Sequence, residues 1–328
     1  MSNARELAEL GGSYGSGGFV GMKNRIINGA MVIDQRNAGA SVSFTSGVNT
    51  YALDRYYIDN ATDGAFTIQQ VSDAPTGFVN SLKLTVTSTD TSIGATQDAI
   101  ISQRIEGLNV ADLGFGTALA SSITISFWVK SSLTGAFGGS LINDAYTRSY
   151  PFSFTINSAN TWEQKTVTIT GDTTGTWLTN NGIGMRLSFT MAAGSTYTGT
   201  ANTWQGNLYF QPTGSTNVMA TNGATFYITG VQLEKGSTAT SFDFRSYGTE
   251  LSLCERYYEV GSAEISFGAG PNGYTQFVMP YRQTKRASPT VILTNSFIAG
   301  GGSSAQAVCP YKLGGQSTIT AFTASAEL

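Results

Sequence analysis

A chain of 328 residues without one histidine lacks the commonest general base, the imidazole of Ser-His-Asp and Cys-His sites, and the usual zinc ligand. What remains for hydrolysis is carboxylate chemistry. A glycosidase works with two acids flanking the scissile bond, and Asp54, Asp59, Asp63, Asp144 and Glu163 are the acids that could pair. Nothing in their spacing brings two of them together, so the expectation is a protein that is not an enzyme, with no catalytic residue and no cofactor.

Binding chemistry is better represented. Sugar recognition needs exposed aromatic faces for the apolar side of a pyranose, flanked by amides or carboxylates that bond its hydroxyls. Trp177 stands in GTWLTNNG beside Asn180 and Asn181; Tyr197 and Trp204 flank TGTANT, with Gln205 next in line; Tyr274 sits in GAGPNGYTQ. These seven are the candidate glycan contacts. The competing reading is that the aromatics pin long loops to the body of the protein or to an adjacent subunit. Trp128 and Trp162 lie in strand-like stretches, where an indole is expected to fill the core. Asp54 and Arg55, with Asp34, Gln35 and Arg36, read as a buried Asp–Arg pair tying an opening strand to a scaffold.

The elements that must carry these residues follow a period of two. Leu82, Leu84 and Val86 alternate with Lys83, Thr85 and Thr87, and Ile123, Ile125, Phe127 and Val129 alternate with Thr124, Ser126, Trp128 and Lys130. Met185, Leu187 and Phe189 repeat the pattern. Strands with one dry and one wet face pair as a two-sheet antiparallel sandwich. Phe226 and Ile228 fall on even positions but Val231 and Leu233 on odd ones, so a bulge at Gly230 is expected to restore the inward register.

Outside that block the pattern changes. Residues 2–10 read as a short helix with Asn3 and Glu6 as a cap and Gly11 as a stop, followed by a glycine-rich link. Residues 247–259 switch to a helical period, with Leu251, Cys254 and Tyr258 on one stripe, and Leu251, Leu253, Tyr257 and Tyr258 offer more apolar surface than one face needs. Strands return at residues 276–279, 290–294 and 318–322. Cys254 and Cys309 are the two cysteines; a bond between them is open, although lone cysteines more often stay reduced.

Composition sets the outer bounds. With 12% charged residues, 39 glycines and a net charge of −3, the chain has no basic surface from which nucleic acid would release counterions, and no apolar run long enough to span a bilayer. Neither nucleic-acid binding nor membrane insertion is expected.

Four blocks carry a family resemblance: NRIINGAMVIDQR at residues 24–36, YALDRY at 51–56, ITGVQLEKG at 228–236 and SYGTELSLCERYY at 246–258. In this order they resemble bacteriophage tail-fibre and virion-surface proteins, and residues 278–291 resemble a further element of the same proteins. The succession of an ING strand, SFWVK, TWEQKTVTI and a closing VQLE strand is similar to the jelly-roll sandwich of carbohydrate-binding modules. Such modules often hold calcium through an acid on the closing strand, where this chain has Gly230 and Gln232, so no metal is expected.

The resemblance implies a mainly β protein. Residues 1–22 would be a virion anchor, 23–246 an antiparallel jelly-roll sandwich, 247–259 a connecting helix, and 260–328 a small distal β domain. It implies a homotrimer joined to other tail or baseplate proteins through its N-terminus, with the helix near the trimer axis, acting as a tail-fibre or tail-tip adhesin for host-surface polysaccharide. A capsid decoration or head-fibre protein that binds no receptor is the alternative, and a polysaccharide depolymerase a third.

Overall fold

The computed structural model describes residues 22–261, 265–267, 274–276, 278–293, 304–308, 311–313, 317–319 and 321–328. The expected helix and link at the N-terminus, and Cys309, lie outside these residues. Two six-stranded antiparallel sheets make the body of the protein. The first holds β1 (Val42–Phe44), β4 (Ala65–Val71), β5 (Ser81–Ser88), β14 (Thr225–Lys235), β7 (Ile123–Ser131) and β10 (Glu163–Ile169), in the spatial order β1-β4-β5-β14-β7-β10. The second is β2-β3-β6-β11-β8-β9, from β2 (Val48–Leu53), β3 (Tyr56–Asn60), β6 (Asp98–Glu106), β11 (Ile183–Ala193), β8 (Gly135–Ile142) and β9 (Ser149–Ile156).

Strand neighbours far apart in sequence mean that each sheet is closed by long-range pairing, as a jelly-roll sandwich requires. Leu82, Leu84 and Val86 on β5 and Ile123, Ile125, Phe127 and Val129 on β7 are all buried in one core. Phe127 of the first sheet meets Phe154 and Phe189 of the second at ring distances of 5.0 and 4.9 Å, both edge-on, which is the favoured aromatic arrangement. These rings join the two layers.

The bulge is where parity places it. The β14–β7 register slips between Thr229 and Gln232, and Gly230 between them has φ +60°. A Cβ there would stand 2.7 Å from the Phe78 ring and 3.1 Å from Trp128. Gly230→Ala is therefore expected to cost about 1–3 kcal/mol from left-handed strain and overpacking. Denaturant unfolding with an unchanged m-value checks it.

The helix is shorter than its period suggests. It covers Tyr247–Glu255 (α1), capped by Ser246, and Tyr258–Gly261 (β15) already pairs with β23 (Phe322–Ser325). Leu251, Leu253, Cys254 and Tyr257 pack on Ile27, Val32, Ile33 and Leu328 of the same chain, and Tyr257 is fully buried. The expected surplus of apolar helix surface is thus partly covered from within, with Leu251, Leu253 and Tyr258 left half-buried. Cys254 is a free, buried thiol whose burial pushes its pKa well above the usual range.

A parallel two-stranded pair, β12 (Thr198–Gly199) and β13 (Gln211–Pro212), falls between β11 and β14 in the chain, and further small sheets follow α1. β15, β23 and β19 (Thr290–Leu293) form a three-stranded sheet, and β16 (Ile265–Phe267), β17 (Tyr274–Gln276), β18 (Met279–Pro280), β20 (Ala307–Val308), β21 (Tyr311–Leu313) and β22 (Ser317–Ile319) form two-stranded pairs. This is the small C-terminal β region that the sequence implies.

Candidate functional site

Six of the seven loop residues expected to meet a glycan have described side chains; that of Tyr274 lies outside them. Trp177 and Trp204 come together with ring centroids 5.5 Å apart and planes at 82°, and Phe115 packs edge-on against both. Each indole N–H is spent on a backbone carbonyl, Trp177 on Thr174 at 3.2 Å and Trp204 on Thr170 at 2.7 Å. Beside them Arg148 grips Asp172 with two hydrogen bonds of 2.7 and 2.8 Å. This aromatic cluster pins loops, with Trp177 buried and Trp204 half-buried.

Asn180, Asn181, Tyr197 and Gln205 also bond or pack within the chain, although both asparagines stay exposed. Asn180 accepts from Leu108 and Gly182, while Asn181 exchanges hydrogen bonds with Arg286 at 3.1 and 2.8 Å and so fastens the C-terminal region to the sandwich. Tyr197 packs on Phe210 at 5.1 Å, and the Gln205 amide closes its own loop on Thr200. Phe210 in turn lies on Ile100 and Ile142, so the loop that carries Tyr197, Trp204 and Gln205 covers part of the outer face of the second sheet. Tyr274 is paired through its backbone with Leu313 in the β17–β21 ladder.

The motifs that carry the family resemblance build a second internal structure. Asn28, at φ 59°, donates to the carbonyls of Ile33 and Asp54 and accepts from Ile33 N–H; Asp34 accepts from the backbones of Asn37 and Gly39. Asp54 accepts from Gln35 twice, at 2.7 and 2.8 Å. Burial nevertheless lifts its pKa to about 6. Arg55 does not pair with Asp54 as expected. Its guanidinium lies 3.5 Å over the Tyr257 ring and bonds Glu327 and the Arg104 carbonyl. Arg55 and Glu327 are 272 residues apart, so no local pattern could propose them as partners. Glu106 completes the junction by accepting from Arg256 and from the Tyr257 hydroxyl, at 2.6 Å for the latter. These residues are scaffold.

Part of the outer face of the first sheet stays accessible, although Thr124, Ser126, Lys130, Thr229 and Gln232 on that face are buried. The strand register puts Gln69, Lys83, Tyr227 and Lys130 directly side by side across β4, β5, β14 and β7, and Trp162 lies next in line, one residue before the Glu163–Val129 pair. At the usual strand spacing this row is about 19 Å long. Lys130 points its ammonium at the Tyr227 ring, 4.3 Å away, and at the Trp162 ring, 5.2 Å away; Lys83 approaches Tyr227 from the other flank at 5.5 Å. Asp73 accepts from Lys130 and, at 3.2 Å, from the Trp162 indole N–H. The hydrogen bond from Lys130 holds the Asp73 carboxyl below its ordinary pKa.

Trp162 and Tyr227 are half-buried, and Trp128 sits one row further along, opposite Thr229 and Gln164. Trp128 and Trp162 are therefore on the outer face, not in the core. Parity alone was enough to place Trp128, since it shares its side of β7 with Thr124, Ser126 and Lys130. Chemically, the row joins apolar ring faces to an amide, two ammonium groups and a carboxylate on a rigid strand surface. It can stack on a flat amphipathic ligand while bonding its hydroxyls.

Of the five acids considered for hydrolysis, Asp54 is held by Gln35, and Asp144 and Glu163 by cations. Asp144 pairs with Arg186 at 3.2 Å, and Glu163, although burial opposes it, is held down to about 2 by hydrogen bonds from Lys165, Ser158 and Asn157. On the closing strand Glu234 accepts from Thr240 and Gln232. Among the described residues no three His, Cys, Asp or Glu side chains are grouped to hold a metal.

Asp98, at the start of β6, is the exception among buried acids. Its Oδ2 is buried without a hydrogen-bond partner, and desolvation, reinforced by Asp59, raises its pKa from 3.8 to about 7. Folded Asp98 thus binds its proton more tightly than the unfolded chain does. Its cost is full above pH 7, shrinks as pH falls through that value, and is gone below about 4. Asp98→Asn should melt higher than the parent protein at pH 8 and at the same temperature at pH 4, as read from thermal unfolding.

The sequence matches no protein-family model and no curated protein. Among solved structures it is similar to the enzymatically active domain of tailspike protein 4 of bacteriophage CBA120, at 12% identity and TM-score 0.34 over 65% of this chain, and it spans 21% of that chain. It is also similar to a family 11 carbohydrate-binding module from Clostridium thermocellum in complex with a mixed-linked tetrasaccharide, at 10% identity and TM-score 0.31, covering 61% of this chain and 98% of the module. The CBM22-1 and GH10 modules of Clostridium thermocellum xylanase 10B match at 13% identity and TM-score 0.32, over 62% and 30% of the two chains.

Proposed function

We propose that this protein is a glycan-binding adhesin on the surface of a virus particle, a tail fibre or tail tip, and that it does no chemistry on its ligand. The observation that carries the binding half is the row Lys83–Tyr227–Lys130–Trp162 with Asp73, where ring faces and hydrogen-bonding groups share one rigid sheet surface. The four sequence blocks that resemble phage tail-fibre proteins support the virion half. Homotrimeric assembly and docking to other virion proteins through the N-terminus belong to the same reading. Each contact would be weak, roughly millimolar, and display in several copies would multiply it.

The expected results are concrete. Recombinant protein should be retained on a panel of host-surface polysaccharides, should compete with the virus for adsorption to cells, and should release no reducing ends on prolonged incubation. Binding to purified capsids with no binding to cells would point to a decoration protein. Accumulating oligosaccharide would make it a depolymerase.

A further inference from the structure

Along the row from Lys83 to Trp162 the charges do not cancel. Two ammonium groups bracket the Tyr227 ring, but the one carboxylate in reach, Asp73, is taken up by Lys130 and Trp162. The Lys83 ammonium makes no ion pair within 4 Å and no hydrogen bond among the described residues; it faces the Tyr227 ring at 5.5 Å and acts on Asp73 only through space. It is half-buried, held between Gln69 and Tyr227 by the strand register. An ammonium on a sheet surface that no carboxylate bonds directly is a place where a ligand's negative charge can bind. The protein as a whole carries −3, so this local excess of positive charge runs against the background field.

The order of groups along the row gives that place a shape. The Trp162 ring takes the apolar side of a sugar, and Lys83 lies three strand spacings further along the row, about 14 Å. A glycan stacked on Trp162 and running along the row would bring a substituent of a later sugar to Lys83. We propose that the ligand of this surface is an anionic glycan, one whose sugars bear a carboxylate, sulfate or phosphate, and that Lys83 reads that charge. This rests on the adhesin reading above and narrows it to a substrate class.

The test is an array of polysaccharides in three groups, uronate-containing, sulfated or phosphorylated, and neutral, probed with the full chain, K83Q and W162A, each confirmed as folded by circular dichroism. The retained glycans should be anionic, and the uronate and sulfate or phosphate groups tell which charge is read. K83Q should lower their retention by about tenfold, the size of one charge-assisted contact, and should flatten its dependence on salt. Neutral glycans retained as strongly as anionic ones, or anionic binding untouched by K83Q, overturns the proposal while leaving the adhesin reading in place. If no glycan in any group shows binding that W162A removes, the adhesin reading falls and the proposal with it.

Discussion

Glu327→Ala should lower the unfolding free energy by about 3–5 kcal/mol, the cost of leaving a buried charge without its partner. Arg55 is 1% exposed and Glu327 6%, so water cannot replace the lost carboxylate. The guanidinium would be left with a carbonyl of Arg104 and the face of Tyr257, neither of which neutralises it. Arg36, paired with Glu327 at 2.8 Å, would lose a partner in the same step. Glu327 thus joins the opening motif, the DRY segment and the end of the C-terminal sheet. Equilibrium denaturation measures the loss. A double variant, Arg55→Met with Glu327→Leu, should regain much of it, because an apolar pair of similar volume pays no desolvation. A single variant as stable as the parent would mean that Arg55 finds another anion or solvent.

Trp162→Ala should weaken glycan binding by about 2 kcal/mol, roughly thirtyfold, the usual effect of truncating a central aromatic anchor. Stability should hardly move. Trp162 lies on the outer face of β10's sheet, half-buried, with its indole N–H on an exposed carboxylate, and it is absent from the aromatic core. Trp204→Ala should do the reverse. It breaks edge contacts with Phe115, Tyr150 and Trp177, so it lowers the unfolding midpoint and leaves affinity unchanged.

The contrast between those two tryptophans marks what the sequence could and could not tell. Period two is a local property, so β5, β7 and the register break at Gly230 could be read from a few neighbouring residues, and the sandwich followed from them. The end of α1 could not. Neither Gly nor Pro stops it; the chain turns at Arg256 and Tyr257 because Glu106, some 150 residues earlier, claims both side chains. Trp177 and Trp204 sit in polar loops that look exposed, and only the folded chain shows that they meet each other. Trp162 was legible in principle, one step beyond a strand whose parity is clear, but a general preference of indoles for the core outweighed that parity. Tyr227 carried the same signal, lying between the buried Phe226 and Ile228.

Hydroxyl-radical footprinting of the protein with and without a bound host polysaccharide tests the location of the site directly. Protection of Trp162 and Tyr227, with Tyr197 and Trp204 labelled equally in both samples, is the predicted outcome. Protection of Tyr197 and Trp204 with Trp162 unchanged would move the site to the loops and contradict the assignment to the first sheet.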